Sequence, residues 1–186
     1  KWVIFPKRAY EGHGEINRRL AQIAWDYTHD PAFAQFNEVF EGGGEGEGAC
    51  AQNGVEGAGA SAPAVGIVAG GVSVAYAREA LSLIEAQAAR AGIPVPRYRF
   101  MAVGTPYPFP AETAAAFAEG LTDVIIFEEL DSVLEEEMLK LAGARHLPLR
   151  VHGKLTGEAN DRGENTTENI AGRLGRFFDR THRSNG

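Results

Sequence analysis

Apolar residues recur along this chain at two different periods, and the switches between the periods outline its elements. Ile16, Leu20, Ile23, Ala24 and Tyr27 are three or four residues apart, which predicts a helix over about 9–28. Ahead of it, Trp2-Val3-Ile4-Phe5 followed by Pro6 reads as a short extended entry. Asp30-Pro31 supplies a cap and a first-turn proline for a shorter helical piece on which Phe33, Phe36 and Phe40 share a face. Val65 to Ala69 is a short apolar strand, and the helix predicted from about Val72 to Ala91 turns Ala77, Ala80, Leu81, Ile84 and Ala88 inward. Arg97 to Val103 alternates, with Tyr98, Phe100 and Ala102 on one side. The prolines between Gly104 and Pro110 end that strand, since they continue neither a ladder nor a helix. A helix over Ala111 to Glu119, a strand over Asp123 to Phe127, a helix over Ser132 to Leu141 and a short strand over Leu149 to His152 follow. Asn165 with Glu168 forms a capping-box-like start to a last helix, whose inward face is Ile170, Leu174, Phe177 and Phe178. Strands alternating with helices predict an α/β fold, a mostly parallel sheet with helices on both faces, preceded by a helical arm.

Composition divides the chain further. Residues 1–40 form the arm and 65–180 the α/β domain, while Thr181 to Gly186 reads as a frayed tail. Between them, 41–64 is rich in Gly, Ala, Glu and Ser with almost nothing large to bury, the signature of a flexible linker. Within it Gly44-Glu45-Gly46-Glu47-Gly48-Ala49 matches the dinucleotide fingerprint by letter only. No strand precedes it, no helix follows, and two carboxylates repel a pyrophosphate.

The 186 residues suit one domain with an appendage, and 44% hydrophobic with 23% charged residues is ordinary for a folded domain. A net charge of −7, with basic residues dispersed among acidic ones, argues against nucleic-acid binding. No stretch approaches the ~20 consecutive apolar residues of a membrane span, and no signal-peptide plan opens the chain, so the expected location is cytoplasmic. The single Cys50 excludes an internal disulfide and is too few for an iron–sulfur cluster. Beginning at Lys1 rather than methionine, the chain reads as an excised or processed piece.

Candidate chemistry gathers where strands are predicted to end. Glu128 and Glu129 follow the third strand of the domain, where open α/β sheets place a ligand crevice, although carboxylates there also suit the start of a helix. Glu135, Glu136 and Glu137 read as a solvated face. Gly70-Gly71 opens a strand-to-helix turn whose N–H groups suit an anion, or serves the turn alone. Lys154 follows the last strand as a cation for an acidic ligand or a neighbouring domain. The five histidines show no metal spacing, Asn165-Thr166-Thr167 reads as a helix start rather than a glycosylation site, and Ser73 lacks the flanks of a hydrolase elbow.

Four signatures in order, Gly66-Ile67-Val68-Ala69-Gly70-Gly71-Val72-Ser73, Gly104 to Pro110, Val124 to Leu130 and His152-Gly153-Lys154, resemble the transketolase C-terminal-like middle domain of the large (alpha) subunit of indolepyruvate (2-oxoacid):ferredoxin oxidoreductases. The pattern Pro6-x-x-Ala9-x-x-x-His13-x-x-Ile16 resembles the helical linker before that domain. The resemblance implies a Rossmann-like domain of an architectural kind within an enzyme that oxidatively decarboxylates arylpyruvates to acyl-coenzyme A. It implies thiamine diphosphate, Mg and [4Fe-4S] clusters in the parent protein, held by other domains, and none in this piece, which lacks Gly-Asp-Gly with paired asparagines and a cysteine cluster. The isolated chain is therefore expected to be inactive, with no catalytic residue, no cofactor-binding residue and no metal ligand of its own. Implied partners are other domains of the same subunit, a small (beta) subunit, a second copy and ferredoxin. Gly70, Gly71, Thr105, Tyr107, Glu128, Glu129 and Lys154 are the candidate interdomain or ligand contacts. Two alternatives stay open: a stand-alone module binding a small anion near Gly70, Thr105 and Glu128, and the equivalent domain of another thiamine-dependent enzyme.

Overall fold

A computed structural model describes residues 6–44 and 65–184. The predicted extended entry at Trp2 to Phe5, Cys50, the fingerprint-like glycines after Gly44 and most of the predicted linker lie outside the described residues. In chain order the elements are α1 (Pro6–His29), α2 (Pro31–Ala34), β1 (Val39–Gly44), β2 (Val65–Gly70), α3 (Ser73–Ala91), β3 (Val95–Val103), α4 (Ala111–Ala118), β4 (Asp123–Phe127), α5 (Val133–Arg145), β5 (Arg150–His152) and α6 (Thr167–Ser184).

The five strands form one sheet in the order β1-β3-β2-β4-β5, in which β2, β3, β4 and β5 run parallel and β1 lies antiparallel along the edge of β3. Every residue of β2 and of β4 is buried. Strands covered on both faces read as continuous apolar runs, so Val65 to Gly70 and Asp123 to Phe127 sit at the centre. The period of two then assigns their side chains. Ile67, Ala69, Phe100, Ile125 and Phe127 face α3 and α6 through Ala77, Ala80, Leu81, Ile170, Leu174 and Phe177. Val68, Met101, Val124 and Ile126 face α4 and α5 through Ala114, Phe117, Leu134 and Met138. The expected inward faces of α3 and α6 are thus the observed ones, and the fold is the predicted mostly parallel sheet with helices on both faces.

Four local expectations are corrected. Glu41 to Gly44 belongs to β1 rather than to the linker. Phe40 lies in β1 instead of on a helical face with Phe33 and Phe36; it stacks on Phe100 with ring centroids 4.9 Å apart. Glu41 accepts from Arg97 and Arg99 of β3, and Gly42 lies so close beneath the Tyr98 ring that a Cβ there would meet its hydroxyl at 2.4 Å. Side-chain contacts with β3 therefore override the poor strand propensity of glycine. The last helix is capped by Thr166, whose Oγ1 accepts from the Asn169 N–H at 3.2 Å, and not by Asn165. The predicted frayed tail is helical as far as Ser184, with Thr181 buried and its hydroxyl donating to the Phe177 carbonyl one turn earlier in α6.

The arm behaves differently from the domain. None of the residues of α1 is buried, and its far end meets α4 through Thr28 with Thr113 and His29 with Glu112. Asp30 caps α2 as the sequence predicts, accepting from Ala32 N–H at 2.9 Å. Truncating a fully buried ring in the sheet tests where stability resides: Phe127→Ala is expected to lower unfolding free energy by about 3–5 kcal/mol in urea denaturation, while Ile16→Ala on the exposed arm shifts it by less than about 0.5 kcal/mol.

Candidate functional site

The helix following β2 packs on one face of the sheet and the helix following β4 on the other, although these strands are neighbours. That divergence is the topological switch point, where open α/β sheets leave a crevice beyond their carboxyl ends. Gly70, Gly71, Glu128 and Glu129 stand there, at the ends of the two strands.

Each of these residues already has an internal task. Gly70 is pressed against α5, since a Cβ would lie 2.6 Å from Leu134 Cδ1. Gly71 takes φ 59°, a left-handed conformation that turns the chain from β2 into α3 and that other residues adopt at a cost. Glu128 is buried, and its two carboxylate oxygens accept from the N–H groups of Leu134 at 2.8 Å and Glu135 at 3.0 Å. It thereby caps the first turn of α5, the donors that a helix start leaves free. Burial pushes the Glu128 carboxyl up, and the two N–H donors and the Lys154 charge oppose that push only in part. Glu129 accepts from Ser73 Oγ at 3.1 Å and from Asn165 N–H at 3.3 Å. The Asn165 amide closes this group by donating to Ser73 Oγ and to the Glu128 carbonyl, each at 3.1 Å. Lys154 donates to the Leu130 carbonyl and so ties the loop after β5 to the loop after β4.

Thr105 and Tyr107 belong elsewhere. Thr105, beyond β3, is bracketed by Asn37, whose amide donates to Thr105 Oγ1 at 2.7 Å and whose Oδ1 accepts from Gly104 N–H at 3.2 Å. Tyr107 stands exposed in the proline-rich turn. Of the candidate contacts, the structure brings Gly71 and Glu129 to the start of α3 and links Glu128 and Lys154 through the β4–α5 loop. Thr105 stays in a separate network with the arm.

Three groups escaped the sequence reading. Glu135 is buried, not solvated: Oε2 accepts from Leu155 N–H at 3.0 Å, and its carboxyl lies where a Cβ on Gly153 would be 2.5 Å away. Asn37 and Asn165 are buried amides whose partners are distant in sequence, and no local spacing announces either. Further back, on the α6 face, Asp123 accepts from Arg150 at 2.8 and 2.6 Å and lies 2.8 Å from His152 Nε2. The other nitrogen of His152 is 2.6 Å from Glu158. Burial resists ionisation of Asp123, but hydrogen bonds from Arg150, His152 and Thr122 outweigh it and bring its carboxyl down to about 2.

The donor set does not suit the groups that the family resemblance implies. Among the described residues no group of three or more His, Cys, Asp or Glu is placed to hold a metal ion. The one cysteine in the sequence is too few for a cluster. At the switch point the carboxylates of Glu128 and Glu129 outnumber the one nearby cation, Lys154, a balance that disfavours a diphosphate or another small anion. Among the described residues no helix is long and apolar enough to cross a membrane.

The geometry therefore defines an α/β domain whose carboxyl edge is acidic and internally bonded. In sequence the chain is similar to a segment of indolepyruvate oxidoreductase subunit IorA. It is 33% identical over 124 residues to the subunit of Methanothermobacter thermautotrophicus, matching 67% of this chain and 16% of that protein. It is 40% identical over 93 residues to that of Methanothermobacter marburgensis (50% and 13%), and 38% identical over 90 residues to that of Thermococcus kodakarensis (48% and 12%). The chain thus spans about a sixth or less of the length of these relatives. No protein-family model matches it. A solved chain described as a split-gene transketolase, inactive beta4 tetramer, aligns with a TM-score of 0.46 and 21% identity, covering 63% of this chain and 40% of that one. The resemblance read from the four signatures is borne out by these relatives, which are oxidoreductase subunits by name.

Two measurements check the assigned roles. Glu128→Ala is expected to destabilise by about 1–2 kcal/mol in urea denaturation, with Glu128→Gln recovering part of the loss because it keeps one acceptor. Asp123 is held below its ordinary value of 3.8, so its contribution is complete above about pH 4 and disappears as pH falls toward about 2. The expected stability difference between the natural chain and Asp123→Asn is on the order of 1–2 kcal/mol at neutral pH, closing over that acid window.

Proposed function

We propose that this chain is an architectural middle domain of the large subunit of a thiamine diphosphate-dependent indolepyruvate:ferredoxin oxidoreductase, and that it contributes no catalytic residue. In this reading the parent enzyme decarboxylates arylpyruvates oxidatively to acyl-coenzyme A and passes electrons to ferredoxin. Thiamine diphosphate, magnesium and the iron–sulfur clusters are held by other parts of the assembly, in the cytoplasm. The domain itself packs against other domains of its subunit, the small subunit and a second copy.

The observation that carries the proposal is the 33–40% identity to IorA subunits over 90–124 residues. The committed state of the carboxyl edge supports the architectural role. Glu128 is occupied as a helix cap, Glu129 by Ser73 and Asn165, and Lys154 by a backbone carbonyl. A general acid or base needs a proton acceptor free to meet a substrate, whereas these groups meet their own backbone and side chains.

The test uses the full-length subunit that carries this chain, purified with its small subunit. Indolepyruvate-dependent reduction of ferredoxin, with a requirement for thiamine diphosphate, is the expected activity; its absence overturns the assigned reaction. Glu129→Gln and Lys154→Ala are expected to retain kcat within about threefold, whereas loss of a general acid or base typically costs about 10²–10⁴-fold. A fall of that size, in variants that still assemble, overturns the architectural role.

A further inference from the structure

The carboxyl edge carries a feature that the core does not use. In the spatial order β3, β2, β4, β5, the loops leaving the four strands each expose a large apolar side chain: Tyr107 (69% exposed), Val72 (49%), Leu130 (83%) and Leu155 (59%). Isolated apolar side chains are common on protein surfaces, but a row on adjoining loops of one edge is the kind of patch that marks an interaction site.

Leu130 is the most informative member. Its φ of 56° is left-handed, a conformation that a residue with a side chain adopts only at a cost. The surroundings hold it there: Glu128 and Glu129 immediately before it are anchored to α5, Ser73 and Asn165, and Lys154 holds its carbonyl. A leucine kept in strained backbone and turned to solvent adds nothing to the core, and strain maintained by fixed neighbours is characteristic of functional positions. The same bond draws together the loops that present Leu130 and Leu155. Two carboxylates, Glu129 and Asp131, border the row against one cation, Lys154, whose ammonium donates to the Leu130 carbonyl, so the border is net acidic.

The geometry points to this row as a docking surface for another domain of the same polypeptide, one that presents an apolar patch bordered by Lys or Arg. The inference rests on the proposed placement of the chain within a longer subunit. Charge selects the occupant, because a two-fold pairing of identical copies through this edge sets its acidic border against itself. Length agrees, since the relatives are about six times as long as the segment matched here. A domain tethered in cis docks at high effective concentration, so that a few apolar side chains suffice.

The test places a photocrosslinking residue at position 130 or 155 of the full-length subunit purified with its small subunit. Control positions are 83 and 139, where Leu83 (43% exposed) and Leu139 (44%) lie on α3 and α5. Mixing isotopically light and heavy preparations separates capture within one polypeptide from capture between copies. Expected are intrachain crosslinks from 130 and 155 to peptides outside residues 1–186 that contain Lys or Arg, with few from 83 and 139. Crosslinks between copies, or yields at 130 and 155 no higher than at the controls, overturn the surface. Turnover of indolepyruvate in the same preparation separates the two proposals: crosslinking without turnover overturns the reaction alone, and turnover without crosslinking overturns the surface alone.

Discussion

Burial of both faces of β2 and β4 is the constraint from which the rest of the domain follows. Two central strands with no solvent face require a helical layer on each side, and the alternation of their side chains divides the core in two. Ile67, Ala69, Ile125 and Phe127 belong to the α3 and α6 layer, while Val68, Val124 and Ile126 belong to the α4 and α5 layer. A shift of one residue in either strand would exchange these sets. Helices on opposite faces must leave neighbouring strands in opposite directions, and that divergence places the switch point between the ends of β2 and β4.

Once the switch point exists, its polar groups have to be satisfied. The start of α5 lies beside the end of β4, and its free N–H groups are met by the buried Glu128 carboxylate. Glu129 and Asn165 perform a related service, joining Ser73 at the start of α3 to the loop that enters α6. Lys154 completes the edge by tying β5 to β4. At the position that many α/β proteins use for a ligand, Glu128, Glu129 and Lys154 are here bonded to the protein's own loops. With those bonds made, Leu130 and Leu155 stand outward, which connects the internal bonding of the edge to its proposed role as a surface within a larger subunit.

Sequence patterning was a sound guide wherever burial decided the structure. The inward faces of α3 and α6 were legible because helical periodicity and core packing make the same demand. It failed where long-range contact overruled local preference. Glu41 to Gly44 has linker composition, yet Phe100, Tyr98, Arg97 and Arg99 draw it onto the sheet as β1. Glu135 sits in a run of three glutamates that reads as solvated, yet the turn after β5 closes over it. Asn165 precedes a helix, as capping residues do, yet its amide is claimed by Ser73 and the Glu128 carbonyl.

From β2 onward the sequence by itself determined the order of strands and helices, and with it the inward faces of α3 and α6, because those depend on periods carried by each segment alone. It also determined the likeness to a known subunit family, carried by short signatures at the strand ends. Only the tertiary structure decided what the residues at those ends do. Asn37 meets Thr105, Glu129 meets Ser73 and Lys154 meets Leu130 across separations of 24 to 68 residues. Which of two adjacent carboxylates caps a helix depends on where that helix is packed, and that position is set by the whole sheet rather than by any local run of the chain.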